Sequence, residues 1–136
     1  MVRRIILPLQ VVRGKFIARC TLLGNPDQEL LGFVDSGSSG TCVDARTCDR
    51  AGLKFAGDSD KVRCVHRSHR EVVRSYLGHI DICGRTAHTT VYALDMGPEC
   101  ERDGTNAILG WDVLEDFRIT MDMPGGTGVM ETSARE

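Results

Sequence analysis

The run Phe33-Val34-Asp35-Ser36-Gly37 places a carboxylate at the end of an apolar stretch, directly on a Ser-Gly turn. A second apolar run, Ala107-Ile108-Leu109, ends on a glycine of its own, Gly110. A carboxylate carried by a buried strand onto a turn is a candidate general acid or base. Carboxylate chemistry of this kind works with a pair, one group ionised and one protonated. A chain of 136 residues with one aspartate so placed therefore raises an enzyme and an oligomer together.

The rest of the chain must form the frame that positions this carboxylate. Its length suits one domain with a proper core. Hydrophobic residues at 41% and charged residues at 26% are ordinary for a globular protein. A formal charge of −2 predicts no nucleic-acid partner and no membrane-surface partner. No apolar run approaches the roughly 18 residues of a membrane helix. The start, Met1-Val2-Arg3-Arg4-Ile5-Ile6-Leu7-Pro8-Leu9-Gln10, places basic residues before a short apolar stretch. It lacks a small-residue cleavage site and reads as a first strand rather than a signal peptide. Six cysteines (Cys20, Cys42, Cys48, Cys64, Cys83 and Cys100) form no C-x-x-C pair. Without an export signal they are expected to be reduced thiols in a cytoplasmic protein. No metal site is expected. His66-x-x-His69, the nearest approach to a ligand pair, reads as exposed turn residues.

Short runs of β-branched and apolar residues between turn formers predict an all-β domain. Strands are expected over 5–12, where Pro8 implies an edge or a bulge, over 16–23, and over 30–34. The last is nearly all apolar, as a buried central strand should be. Asp44 is the expected N-cap of a short helix over 45–51, which Gly52 ends. Residues 61–65 and 71–82 read as two arms of a hairpin with Arg67-Ser68-His69-Arg70 near its tip. Further strands are expected over 86–94, 106–109 and 117–123, with a polar loop at 96–105 and one or two helical turns at 111–116. Strand, turn and short helix around Asp35 recur, without the Asp-Ser-Gly, around Gly110.

Val34-Asp35-Ser36-Gly37-Ser38-Ser39 resembles the catalytic D-[ST]-G segment of aspartic proteases. Ile108-Leu109-Gly110-Trp111-Asp112-Val113-Leu114 is similar to the hydrophobic-hydrophobic-Gly element and short helix that close their fold. The ordered pair, with a hairpin between, resembles the retropepsins, the single-domain homodimeric branch with retroviral and bacterial members. The resemblance spans residues 5–123. It implies a closed, mostly antiparallel acid-protease fold with one or two short helices. The domain is expected over 1–123, and residues 124–136 as a polar tail, either disordered or part of the dimer contact.

The resemblance also implies roles. Asp35 from each of two copies would form the dyad of an aspartic endopeptidase, with no metal and no organic cofactor. Ser36 would lock the two turns together across the dimer, and Gly37 would allow close backbone approach. A Ser38 hydroxyl donating to the carboxylate would favour its charged form, which places the activity optimum at about pH 4–5. The hairpin would be a flap over an extended peptide substrate that adds to the sheet by main-chain hydrogen bonds. Its tip departs from the glycine-rich retroviral pattern. His66, Arg67, Ser68, His69 and Arg70 make it basic, which would favour acidic substrates, fix the flap open, or serve dimer contacts. Ile108, Leu109 and Gly110 would close the fold.

The remaining candidates have simpler readings. Asp112 is expected to be the N-cap of its helix rather than a second acid, and Trp111 a core or interface residue rather than a substrate contact. Cys42 and Cys48 are expected to be buried thiols. The rival to the enzyme is a catalytically inactive module of the same fold that dimerises or binds peptides.

Overall fold

The computed structural model describes residues 2–62 and 71–135. Among them are ten strands and three short helices. The strands are β1 (Val2–Val12), β2 (Lys15–Leu22), β3 (Gln28–Val34), β4 (Thr41–Asp44), β5 (Lys54–Val62), β6 (Glu71–Ile82), β7 (Arg85–Leu94), β8 (Ala107–Leu109), β9 (Arg118–Asp122) and β10 (Thr127–Arg135). The helices are α1 (Ala45–Ala51), α2 (Gly97–Asp103) and α3 (Trp111–Leu114).

Six strands run in the order β6-β7-β4-β8-β3-β2, and β2 closes the ring by pairing with β6 through Thr21↔Asp81 and Leu22↔Ile80. This is a closed barrel, mostly antiparallel, with parallel pairing of β3 with β8 and of β4 with β7. Closure removes free sheet edges from the wall that carries Asp35. Leu22, Leu30, Val43, Ile80, Ile82, Val91, Leu109 and Val113 fill the interior, all essentially inaccessible to solvent. The alternation in β2 is as expected, with Phe16, Ala18, Cys20 and Leu22 facing the core.

A three-stranded antiparallel ribbon, β1-β10-β9, continues from the barrel. β1 pairs with β10 along Val2–Leu9 and with β2 only at Gln10–Val12. Pro8 thus lies where the strand has a single neighbour, which is where a residue without an N–H is tolerated. The expected polar tail is instead a strand. Gly125 and Gly126 turn the chain back after β9, and Met130 of β10 is fully buried in the core. A strand covered on one face needs few apolar residues, so the polar composition of 127–135 conceals it.

The expected helix at 45–51 is α1, and Gly52 ends it in the left-handed conformation at φ +62°. Asp44 occupies the N-cap position without a side-chain capping bond and lies 3.8 Å from Arg46 instead. The loop expected at 96–105 contains a third helix, α2. Pro98 stands in its first turn, where a missing N–H costs nothing. No α2 residue is buried, so the helix has no apolar stripe. It is tied down by charge. Lys15 donates to Asp103 Oδ2 at 2.6 Å and to Glu99 Oε1 at 2.8 Å, while Arg13 lies 3.3 Å from Asp103 Oδ1.

Candidate active site

β8 lies between β3 and β4, and the turn from Asp35 to Gly40 that joins those two strands passes the C-terminal end of β8. The two similar segments of the sequence are therefore neighbours in space, in parallel register at Gly32↔Ala107, Phe33↔Ile108 and Val34↔Leu109. They differ beyond the turn. α3 starts directly after Gly110, whereas β4 intervenes before α1.

The turn is fixed largely by backbone hydrogen bonds. Asp35 N–H donates to Leu109 C=O at 3.1 Å, Ser38 N–H to Asp35 C=O at 3.1 Å, and Trp111 N–H to Ser38 C=O at 2.9 Å. Gly37 N–H donates to Asp35 Oδ1 at 3.0 Å, which orients the carboxylate. A β-carbon on Gly37 would stand 3.2 Å from that oxygen. Gly110 is the tightest position. A β-carbon there would lie 2.3 Å from Gly40 O and 2.8 Å from Ser38 O, so only glycine lets the two loops touch.

A second tier holds Gly110. Thr41 is buried, and its hydroxyl accepts from Gly110 N–H at 3.1 Å and donates to Asp112 Oδ1 at 2.7 Å. Thr89, on β7, donates to the other Asp112 oxygen. Val113 N–H also donates to Asp112 Oδ1, at 3.0 Å. Asp112 is therefore not an N-cap, since Gly110 occupies that position. Its carboxylate sits inside the first turn of α3 and cross-links α3, β4 and β7. Local sequence carries no sign of this, because its two hydroxyl partners lie on other strands.

Ser38 also departs from expectation. Its hydroxyl donates to Gly40 C=O at 2.7 Å and so braces the turn rather than the carboxylate. The acidic optimum inferred from a Ser38–carboxylate bond loses that support. Ser36 and Gly37 are exposed at the tip, and Asp35 is half-buried. Trp111 is not a core residue. The residue is 56% exposed, and its Nε1–H donates to Ser36 C=O at 2.5 Å.

β5 and β6 form the hairpin, whose pairing is irregular between Phe55 and Gly57 and between Ser59 and Val62. Ser75 Oγ donates to Gly57 C=O at 2.9 Å at the first irregularity. The expected flap-tip residues His66, Arg67, Ser68, His69 and Arg70 lie outside the described residues. Val73, near the loop end of the hairpin, packs with Cys42 and Leu94, against Tyr92, Met96 and Ile108. The alternation in β8 thus divides the fold-closing element. Ala107 and Leu109 face the main core, and Ile108 faces the hairpin. Phe55, with the Arg74 guanidinium 4.6 Å over its ring, and Val72 at 71% exposure present side chains that sequence reasoning passed over.

Cys20, Cys42 and Cys48 are buried, and burial pushes the thiols of Cys20 and Cys48 up to about 12. Thiols so disfavoured as thiolates are poor nucleophiles and poor redox centres. Among the described residues, no three His, Cys, Asp or Glu side chains come together as a metal site. No described helix is long and apolar enough to cross a membrane.

The architecture has known counterparts. A retropepsin-like aspartic protease from Rickettsia conorii superposes with a TM-score of 0.64 over 99% of this chain and 95% of that one, at 17% identity. The equine infectious anaemia virus (EIAV) protease, solved with the inhibitor HBY-793, gives 0.55 over 76% and 88%, also at 17% identity. The chain has the retropepsin fold. Comparison of its sequence with protein-family models and with curated proteins finds no match. The closed, mostly antiparallel barrel is what the resemblance carried by the paired sequence motifs implied.

Proposed function

We propose that this protein is an aspartic endopeptidase of retropepsin type, active as a homodimer in which each copy contributes Asp35. The observation that carries this reading is the seating of Asp35. A carboxylate on an exposed turn is oriented by Gly37 N–H and held from behind by β8, Gly110 and α3. A scaffold that only bound peptides would have no chemical need of a carboxylate held this way.

In aspartic proteases generally, two carboxylates about 3 Å apart cannot both ionise, so they share one proton. Applied to Asp35 and its two-fold mate, the ionised group accepts a proton from water as the oxygen attacks the scissile carbonyl carbon. The protonated group donates to the carbonyl oxygen. Collapse of the resulting diol returns that proton and cleaves the C–N bond, with a proton passing to the amine. No covalent enzyme intermediate forms. Hydrolysis then requires one proton on the pair, and the rate should fall on both sides of an intermediate pH. The monomer holds half a site, so activity should rise with protein concentration.

The test is cleavage of a mixed peptide library from pH 3.5 to 7.5, beside Asp35→Asn. The substitution should leave the thermal transition within a few degrees and reduce cleavage by at least about a thousandfold. Equal cleavage by the two proteins would refute the assignment. A wild-type dimer that cuts nothing in the library would favour an inactive peptide-binding module.

A further inference from the structure

Trp111 is the one tryptophan of the chain. The residue is 56% exposed and yet held in place, with Nε1–H on Ser36 C=O and the backbone N–H on Ser38 C=O. An aromatic ring of this kind buries roughly 150–250 Å² when covered. Its outer face is open among the described residues, and its hydrogen bonding fixes which edge it turns inward.

The dyad dictates where the second copy must lie, and the inference rests on the homodimeric reading proposed above. Two Asp35 carboxylates about 3 Å apart put the two-fold axis within roughly 2 Å of each. Ser36 is the next residue, its Cα about 3.8 Å from that of Asp35. With the Asp35 side chain and the Ser36 carbonyl added, the indole Nε1 bonded to Ser36 lies at most about 14 Å from the axis. A stable interface covers about 800 Å² of each partner, equivalent to a disc of radius about 16 Å. The indole Nε1 falls inside that disc, beside Ser36 and Gly37, which are exposed.

We propose that Trp111 is the anchor between subunits. Its free face packs against the same region of a second copy of this chain, and its bond to Ser36 couples association to the seating of the Asp35 turn. Buried aromatic anchors near the centre of an interface carry a disproportionate share of its affinity. The same residue positions the turn without touching substrate, so assembly and activity are linked through one side chain.

Because the chain has a single tryptophan, the wild-type protein reports on this contact directly. Emission and iodide quenching would be followed on dilution, with the oligomeric state measured in parallel by analytical ultracentrifugation. As dimer gives way to monomer, emission should move to longer wavelength and quenching should increase. Trp111→Ala should weaken dimerisation by at least about 30-fold with an unchanged far-ultraviolet spectrum, and Trp111→Phe should weaken it less. A dimer whose tryptophan is as open to quencher as the monomer's overturns the anchor and leaves the homodimeric protease intact. A chain that stays monomeric at every concentration overturns both. Shielding of Trp111 by an added peptide, with none on association, would assign the ring to substrate and overturn the anchor.

Discussion

The turn that carries Asp35 and the β5–β6 hairpin are positioned by different means. The turn is held by backbone groups, by a glycine that admits no β-carbon, and by a threonine–aspartate tier behind it. The hairpin is irregular in register and presents Phe55, Val72 and Leu77 to solvent. Backbone hydrogen bonds survive most substitutions of side chains, so the Asp35 carboxylate keeps its place when exposed neighbours change. Only the exposed side chains of the hairpin, unlike Tyr76 and Ile80 in the core, can be exchanged at little cost to the barrel.

Substitutions should separate the two regions by size of effect. Gly110→Ala should have the largest, because the new methyl meets the backbone of both Gly40 and Ser38. A loss of at least about 3 kcal/mol is expected in chemical denaturation, together with loss of cleavage. A stable, active Gly110→Ala protein would end the claim that the turn is backbone-locked. Thr41→Val comes next. It keeps the volume but leaves Gly110 N–H without its partner and removes a donor from Asp112. About 2 kcal/mol is the expected cost, and an unaltered unfolding midpoint would show that the second tier is dispensable. Arg74→Ala should change stability by less than about 1 kcal/mol while shifting KM or the preferred cut sites. Equal cleavage patterns would remove the hairpin's exposed side chains from substrate selection.

The smallest effect tests a region remote from both. Lys15 holds the Asp103 carboxyl below its usual range, and Asp103 and Glu99 raise the Lys15 ammonium above its own. The depressed aspartate contributes stability that is present above the ordinary carboxylate pKa and lost as pH falls through its folded value. The raised lysine contributes stability present below the ordinary lysine pKa and lost as pH climbs through its folded value. Asp103→Asn should therefore flatten the acid limb of a stability–pH curve below about pH 4 and lower stability modestly at neutral pH. Superimposable acid limbs would show that the α2 clamp contributes nothing measurable.

How legible each feature was in the sequence depended on the range of the interactions behind it. Asp35, Gly37 and Gly110 stood out because apolar strands ending on small residues are local signals, as was Gly52 at the end of α1. The all-β class followed from such runs, and the closed, mostly antiparallel fold from the resemblance that the paired motifs carry. The roles of Ser38 and Asp112 were misread because hydroxyl and carboxylate partners are chosen by tertiary proximity. Thr41 and Thr89 lie far from Asp112 along the chain. α2 escaped notice because it buries no apolar side chain and is fastened through Asp103 by Lys15, a long-range ion pair without periodicity. β10 was hidden by a composition suited to a ribbon with one wet face.

The ladder between β1 and β10 begins at Val2↔Arg135. Directly opposed residues of such a ladder lie about 5 Å apart, so residues 2 and 135 are neighbours in space. A linker of a few residues could join them without disturbing the barrel. New ends could then be opened at the exposed Pro124-Gly125-Gly126 turn. A permuted chain of this kind would fold to the same barrel with Asp35 and Gly110 in their original order.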